Sequence, residues 1–254
     1  MARRSDARQA TETLQEIESA FDRLAEWATQ NPAQVLGVLG SVLLVAAAVG
    51  LYGSFSHSRA EKAAAAVARV EADYRKAMGA APGTLQIVEP ANPEIARRTR
   101  REFAARYLKV ADAHSKTAAA VRARLEAGSL LDAAGDLTGA VSAWQKAVDE
   151  APNGSDLEVL AQIRLAGGLE REGEWKAAAA AWERAGHDAE RPGAGLALAQ
   201  AARCYTEGGD TAHALELFER AEKVASASGT EIPPHIAARL RELRKAAAAP
   251  KPSP

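Results

Sequence analysis

Polar and apolar residues change their rhythm along the chain. Over residues 11–30 (TETLQEIESAFDRLAEWATQ), Leu14, Ile17, Phe21, Leu24 and Ala28 recur three and four apart, opposite Glu12, Glu16, Glu18, Asp22, Arg23 and Glu26. That spacing predicts an amphipathic helix. Asn31-Pro32 breaks it, with proline suited to the first turn of a new helix. Between Glu26 and Arg59 there is no Asp, Glu, Lys or Arg, and residues 35–55 read VLGVLGSVLLVAAAVGLYGSF. A helix of this length is about 31 Å long, matching the hydrocarbon of a bilayer. Eleven of these residues are Leu, Val or Phe, and together they favour insertion by about 3 to 7 kcal/mol. The run predicts one transmembrane helix within 32–56. It is too long and too far along the chain for a cleavable leader.

From Ser58 onward the pattern is that of alanine-rich amphipathic helices, 58–78 and 94–114, parted by Gly79, Pro82, Gly83, Pro90 and Pro93. Residues 57–120 therefore read as an alanine-rich helical hairpin leading into a repeated region. There 121–154, 159–192 and 195–228 align on one template. Position 8 holds Gly128, Ala166 and Ala202, and positions 15 and 16 hold Gly135-Asp136, Gly173-Glu174 and Gly209-Asp210. Position 20 holds Ala140, Ala178 and Ala214, position 24 Trp144, Trp182 and Phe218, and position 27 Ala147, Ala185 and Ala221. The glycine can end a first helix in the left-handed region, and the acidic residue after it can cap a second. Small residues at 8, 20 and 27 let the two helices cross closely, and the aromatic at 24 fills the gap to the next pair. A segment from Glu231 to Ala249, with Ile236, Leu240 and Leu243 on one side, reads as a cap helix. Repeats and cap make a domain of 121–249, and 250–254 a disordered tail. The fold class is all-α.

Composition agrees. Alanine supplies 62 of 254 residues and aromatics only 5%, which suits close-packed helices and not a sandwich or barrel. The formal net charge of −1 gives no global reason to bind nucleic acid. One cysteine, Cys204, excludes an internal disulfide and a multi-cysteine metal site; beside Tyr205 it reads as a small buried hydrophobe. His57, His114, His187, His213 and His235 are dispersed. No phosphate-binding loop, HExxH or GxSxG is present. The chain is therefore expected to be no enzyme and to carry no cofactor or metal. The densest charge cluster, Arg97, Arg98, Arg100, Arg101 and Arg106, lacks interleaved aromatics among its first four members and reads as a solvated helix face.

The three segments resemble the tetratricopeptide repeat (TPR) family, in which about 34 residues fold as two helices. One such pair cannot bury its apolar face alone, but a stack can. The order of segments across the chain, above all EWATQNPAQVLGVLG running into SHSRAEKAAAAV, resembles the ancillary SecYEG translocon subunit family of bacterial inner-membrane proteins. Its repeat domain is similar to that of a periplasmic cell-division coordinator. The resemblance implies an inner-membrane protein with residues 1–31 in the cytoplasm and the repeats in the periplasm. It also implies association with translocon subunits, periplasmic chaperones or secreted clients. The Lys/Arg count leans the other way, with Arg59, Lys62, Arg69, Arg75 and Lys76 after the apolar run and Arg23 in the segment just before it.

In a TPR stack, positions 2, 5, 9, 12 and 13 of each first helix line a concave groove. Here these include Arg122, Leu125, Ser129 and Asp132; Leu160, Ile163, Gly167, Glu170 and Arg171; and Leu196, Arg203, Thr206 and Glu207. The mixed lining suits a helix or extended segment, or the groove holds the chain's own 58–78. In the apolar run, Gly37 and Ser41, then Ala46, Gly50 and Ser54, are spaced by four, which permits close helix packing in lipid and a homo-oligomer. The expected function is a membrane-anchored adaptor. The alternative is a structural envelope protein coordinating cell-wall synthesis or division through self-association.

Overall fold

The computed structural model describes residues 27, 29–80 and 90–248, without the side chains of 35, 38, 39, 42, 52 and 248. The expected amphipathic helix over 11–30 and the tail 250–254 lie outside the described residues, apart from the end of the former. All regular structure among the described residues is helical: α1 (Pro32–Ala77), α2 (Pro93–Ala113), α3 (Ala118–Ala133), α4 (Leu137–Glu150), α5 (Asp156–Glu172), α6 (Trp175–Ala185), α7 (Ala194–Glu207), α8 (Thr211–Ser228) and α9 (Pro234–Ala248).

Local chemistry sets these ends. Pro93 follows Asn92, whose side chain accepts from the Glu94 N–H at 2.9 Å. Thr117 and Ser155 cap α3 and α5 in the same way. Inside each pair the turn is identical. Gly135, Gly173 and Gly209 sit at φ +83°, +82° and +81°. The next residue's N–H returns to the carbonyl five residues back: Asp136 to Leu131, Glu174 to Leu169 and Asp210 to Tyr205, at 2.8–2.9 Å. This closing bond satisfies carbonyls that the helix end would otherwise orphan. Asp136 and Asp210 then cap α4 and α8 through Gly139 and His213. Glu174, expected to cap α6 likewise, makes no side-chain cap. Its extra methylene carries the carboxylate past the N–H that the shorter aspartate reaches, in line with the preference for Asp at such positions.

From α2 onward successive helices pack on one another, with α3 against both α4 and α5, and α9 against α7 and α8. The crossing points are as small as the template requires. Ala140, Ala147, Ala166, Ala178, Ala202, Ala214 and Ala221 are fully buried. A Cβ on Gly128 would overlap Trp144 Nε1, and one on Gly168 would lie 2.7 Å from Val141. These glycines let α3 meet α4, and α4 meet α5. The three hairpins thus form a TPR-like stack. Phe218 fills the last layer with Leu198, Ile236 and Leu240, and Arg244 of α9 lies over its ring at 4.9 Å. Helix α9 thus packs over that layer. One charge cluster around a buried arginine joins the first layers. Arg124, 4% exposed, donates to both oxygens of Glu150 at 2.7 and 2.9 Å and to Asp112 at 3.0 Å.

The chain divides into two compact units, Met1–Ser58 and Arg59–Pro254, and α1 runs unbroken through the boundary. The end of the apolar run predicts a domain edge at 56/57, yet nothing in SFSHSRAE breaks a helix. In the first unit the aliphatic side chains stay exposed: Leu36, Leu43, Leu44 and Leu51 are each 69–73% accessible. No helix among the described residues is long and apolar enough to cross a membrane, so the span expected over 32–56 is not found among them. In the second unit, Ala63, Val67, Val70, Tyr74 and Met78 form a buried stripe. Val67, Val70, Tyr74 and Met78 join Phe103 and Tyr107 of α2 in one core. Tyr74 meets Phe103 at 5.4 Å.

Candidate protein-binding face

The face offered by α3, α5 and α7 holds the sequence-derived groove residues, and the structure gives them unlike roles. Arg122 is exposed, whereas Leu125 is buried in the core with Trp144 and Leu165. Ser129 and Thr206 turn their hydroxyls back onto the helix, donating to the Leu125 and Ala202 carbonyls at 3.0 and 2.9 Å. The charged members pair with one another. Asp132 on α3 meets Arg171 on α5 at 2.5 Å. Glu170 on α5 meets Arg203 on α7 at 2.5 Å, and Glu207 on α7 meets Arg239 on α9. Such partly exposed pairs contribute little individually. Their effect here is a ladder that runs from α3 to α5, from α5 to α7 and from α7 to α9, and pairs the charged groove candidates other than Arg122.

Glu170 is the hub. Besides Arg203 it accepts from the Trp182 indole N–H at 2.5 Å and the Cys204 thiol at 3.3 Å. Cys204 is fully buried; burial first, and then the Glu170 charge, push its thiol up to about 12. It is therefore a packed, protonated thiol and no nucleophile at neutral pH. Tyr107 is likewise raised, by burial first.

What remains for a ligand is apolar. Leu160, Ile163 and Leu196 are 36–41% exposed. A cleft of about 340 Å³, lined by Ile163, Trp182, Leu196 and Val159, opens between α5 and α7. A Cβ on Gly167 would meet nothing within 4 Å, which keeps that stretch of the face clear. At α3 the situation differs. Val67, Glu71 and Tyr74 of α1 stand with Arg122, Glu126 and Leu130 around a narrower cleft of about 190 Å³. The chain's own helix thus lies beside the first repeat, and the second and third repeats stay open.

Other sequence-derived candidates lie apart from this face. In the apolar run, Ser41 donates to the Gly37 carbonyl, Ala46 and Ser54 are exposed, and neither Gly37 nor Gly50 has anything within 4 Å of a built Cβ. Several of the clustered arginines are engaged within the fold. Arg97 pairs with Glu94 at 3.2 Å, Arg101 donates to the Ala134 carbonyl at 3.2 Å, and Arg106 pairs with Asp73 while lying over Phe103. Among the described residues no group of His, Cys, Asp and Glu is placed to hold a metal ion. Sequence reasoning missed the ladder, because its partners lie 32–39 residues apart, and it missed Gln162, which reads as an ordinary helical polar residue yet is 2% exposed.

No protein-family model matches the chain, and no curated protein matches it. Among solved structures, the chain is similar to a Podosopora anserina protein assigned to the kinesin light chains and built of nearly identical TPR-like repeats. Identity is 18%, the match covers 60% of this chain and 85% of that one, and the TM-score is 0.46. A point variant of the same protein is similar at 18% identity, over 60% and 84% of the two chains, with a TM-score of 0.47.

Proposed function

We propose that the chain is a non-enzymatic adaptor, held to a membrane by residues 35–55 and holding protein partners on the open face of its second and third repeats. Two observations support the reading. The run 35–55 contains no Asp, Glu, Lys or Arg, and its described leucines are about 70% exposed. Water does not tolerate such a surface without a cover, whereas lipid favours it. The face over α5 and α7 has its charges paired and its apolar residues, Leu160, Ile163 and Leu196, uncovered. The observation that carries the function is this combination of satisfied charge and open apolar surface on a TPR-like stack, which suits an amphipathic helix or an extended segment.

The finer assignment rests on the sequence resemblance: an inner-membrane protein with periplasmic repeats, beside translocon subunits and periplasmic chaperones. Photo-crosslinking from position 163 or 196 in native membranes tests it. The reading expects adducts with translocon or chaperone subunits. Adducts with cytosolic proteins alone contradict it, as would resistance of the repeats to protease added outside spheroplasts.

A second reading, a structural envelope protein acting through self-association, is favoured by one observation. The small-residue positions Gly37 and Gly50 have open space around them, as a close helix partner in lipid requires. Gly50→Leu is expected to abolish a dimer in mild detergent if this reading holds; a monomer unaffected by the change removes it.

A further inference from the structure

A second cleft, of about 270 Å³, lies where the start of α5 faces the end of α6 and the loop after it. It touches the groove cleft only through Val159, Ala185 and Arg191 and includes none of the charge ladder. Gln162 lines it and is almost fully buried, and its Oε1 has no hydrogen-bond partner among the described residues. Leaving such a group unmet costs about 1–3 kcal/mol, and buried polar groups are nearly always paired. A primary amide offers both acceptor and donors. It is therefore complementary to a peptide unit whichever way round it lies.

The charges around the cleft divide into used and unused. Asp188 accepts from the Glu190 N–H at 3.1 Å and from Arg191 at 3.2 Å, and Glu158 accepts from the Gly154 N–H. Arg191 is further held by Asp156 and the Gly154 carbonyl. Arg184 and His187 also line the cleft, and among the described residues no ion pair engages either of them. Val159 and Ala185 supply an apolar wall. A helix spends its peptide N–H and C=O groups on itself, whereas an extended end of chain keeps them free to meet the Gln162 amide.

We propose that this cleft binds the free carboxy-terminal end of a protein chain that finishes in small aliphatic residues. The last peptide unit pairs with the Gln162 amide, the terminal side chain lies on Val159 and Ala185, and the carboxylate meets Arg184. The site adjoins the groove cleft, sharing Val159 and Ala185 with it, and does not depend on the membrane reading.

The test is saturation-transfer NMR on the full chain in detergent micelles, titrated with N-acetyl-Ala-Ala bearing a free carboxylate and, separately, with its carboxamide. Saturable binding of the acid, at least about tenfold tighter than the carboxamide, is expected. Gln162→Leu and Arg184→Glu should each weaken it by a similar factor. Gln162→Leu should melt no lower than the parent, since it removes an unmet polar group. Should Gln162→Leu not fold, Arg184→Glu, at an exposed side chain, decides alone. No saturable signal at millimolar peptide, equal affinity for the carboxamide, or binding untouched by the substitutions that fold would overturn the proposal.

Discussion

Leu44 and Leu198 carry the same side chain, yet one is 73% exposed and the other fully buried. The contrast runs through the two units. In the repeats, alanines and glycines let helix backbones approach, so Leu165, Leu198 and Phe218 are enclosed by protein on every side. In the run 35–55 the small residues are equally frequent, but no packed layer surrounds the described leucines. The same composition therefore gives two outcomes. Where small and large residues fall at fixed repeat positions the chain makes its own interior, and where charge is simply absent the described leucines stay uncovered.

The largest effect should come from emptying the last repeat layer. Phe218→Ala is expected to destabilise the repeats by about 3–5 kcal/mol, read by chemical denaturation. Leu44→Ala should leave that transition unmoved, and a shared loss would erase the distinction between the units. Glu150→Ala should cost about 3 kcal/mol or more, because it strips Arg124 of its main partner in a buried setting. Replacing both, as Arg124→Met with Glu150→Leu, should recover most of it.

Gly128→Ala comes next, at about 1–3 kcal/mol, since the new Cβ would overlap the Trp144 indole. The equivalent change at Gly167, which faces open space at a helical position, should be neutral or mildly stabilising. Smallest is an alkaline effect. Cys204 keeps its proton up to about 12 when folded, against 9.0 otherwise. The folded state thus holds more protons between those values, and stability should fall as pH rises through that window. Cys204→Ala should flatten that part of the pH profile in thermal melts. The thiol should also resist maleimide at pH 8 until the protein unfolds.

Much of this was legible in the sequence because it is local. Gly135-Asp136 and Gly209-Asp210 announce a helix end and a cap within two residues, and the recurrence of Trp144, Trp182 and Phe218 marks the layers. Glu174 looked equivalent and was not, since a cap depends on side-chain length to within a methylene. The groove was legible in its positions but not in its state. That Asp132, Glu170 and Glu207 are spent on the neighbouring repeats depends on how far one hairpin is rotated on the next, which no single segment encodes. Leu125 turned inward for the same reason. The orphaned amide of Gln162 is visible only once the inter-repeat loops close around it.

The central claim is that one molecule holds a lipid-seeking helix and a self-contained repeat fold. Phase partition of the full chain in a detergent that clouds on warming tests this most directly, with Val45→Arg alongside. The account predicts that the parent enters the detergent phase with the helical spectrum and cooperative melt of the repeats intact. The arginine variant should shift toward the aqueous phase with that melt unchanged. A parent chain that stays in the aqueous phase as a soluble monomer would contradict it.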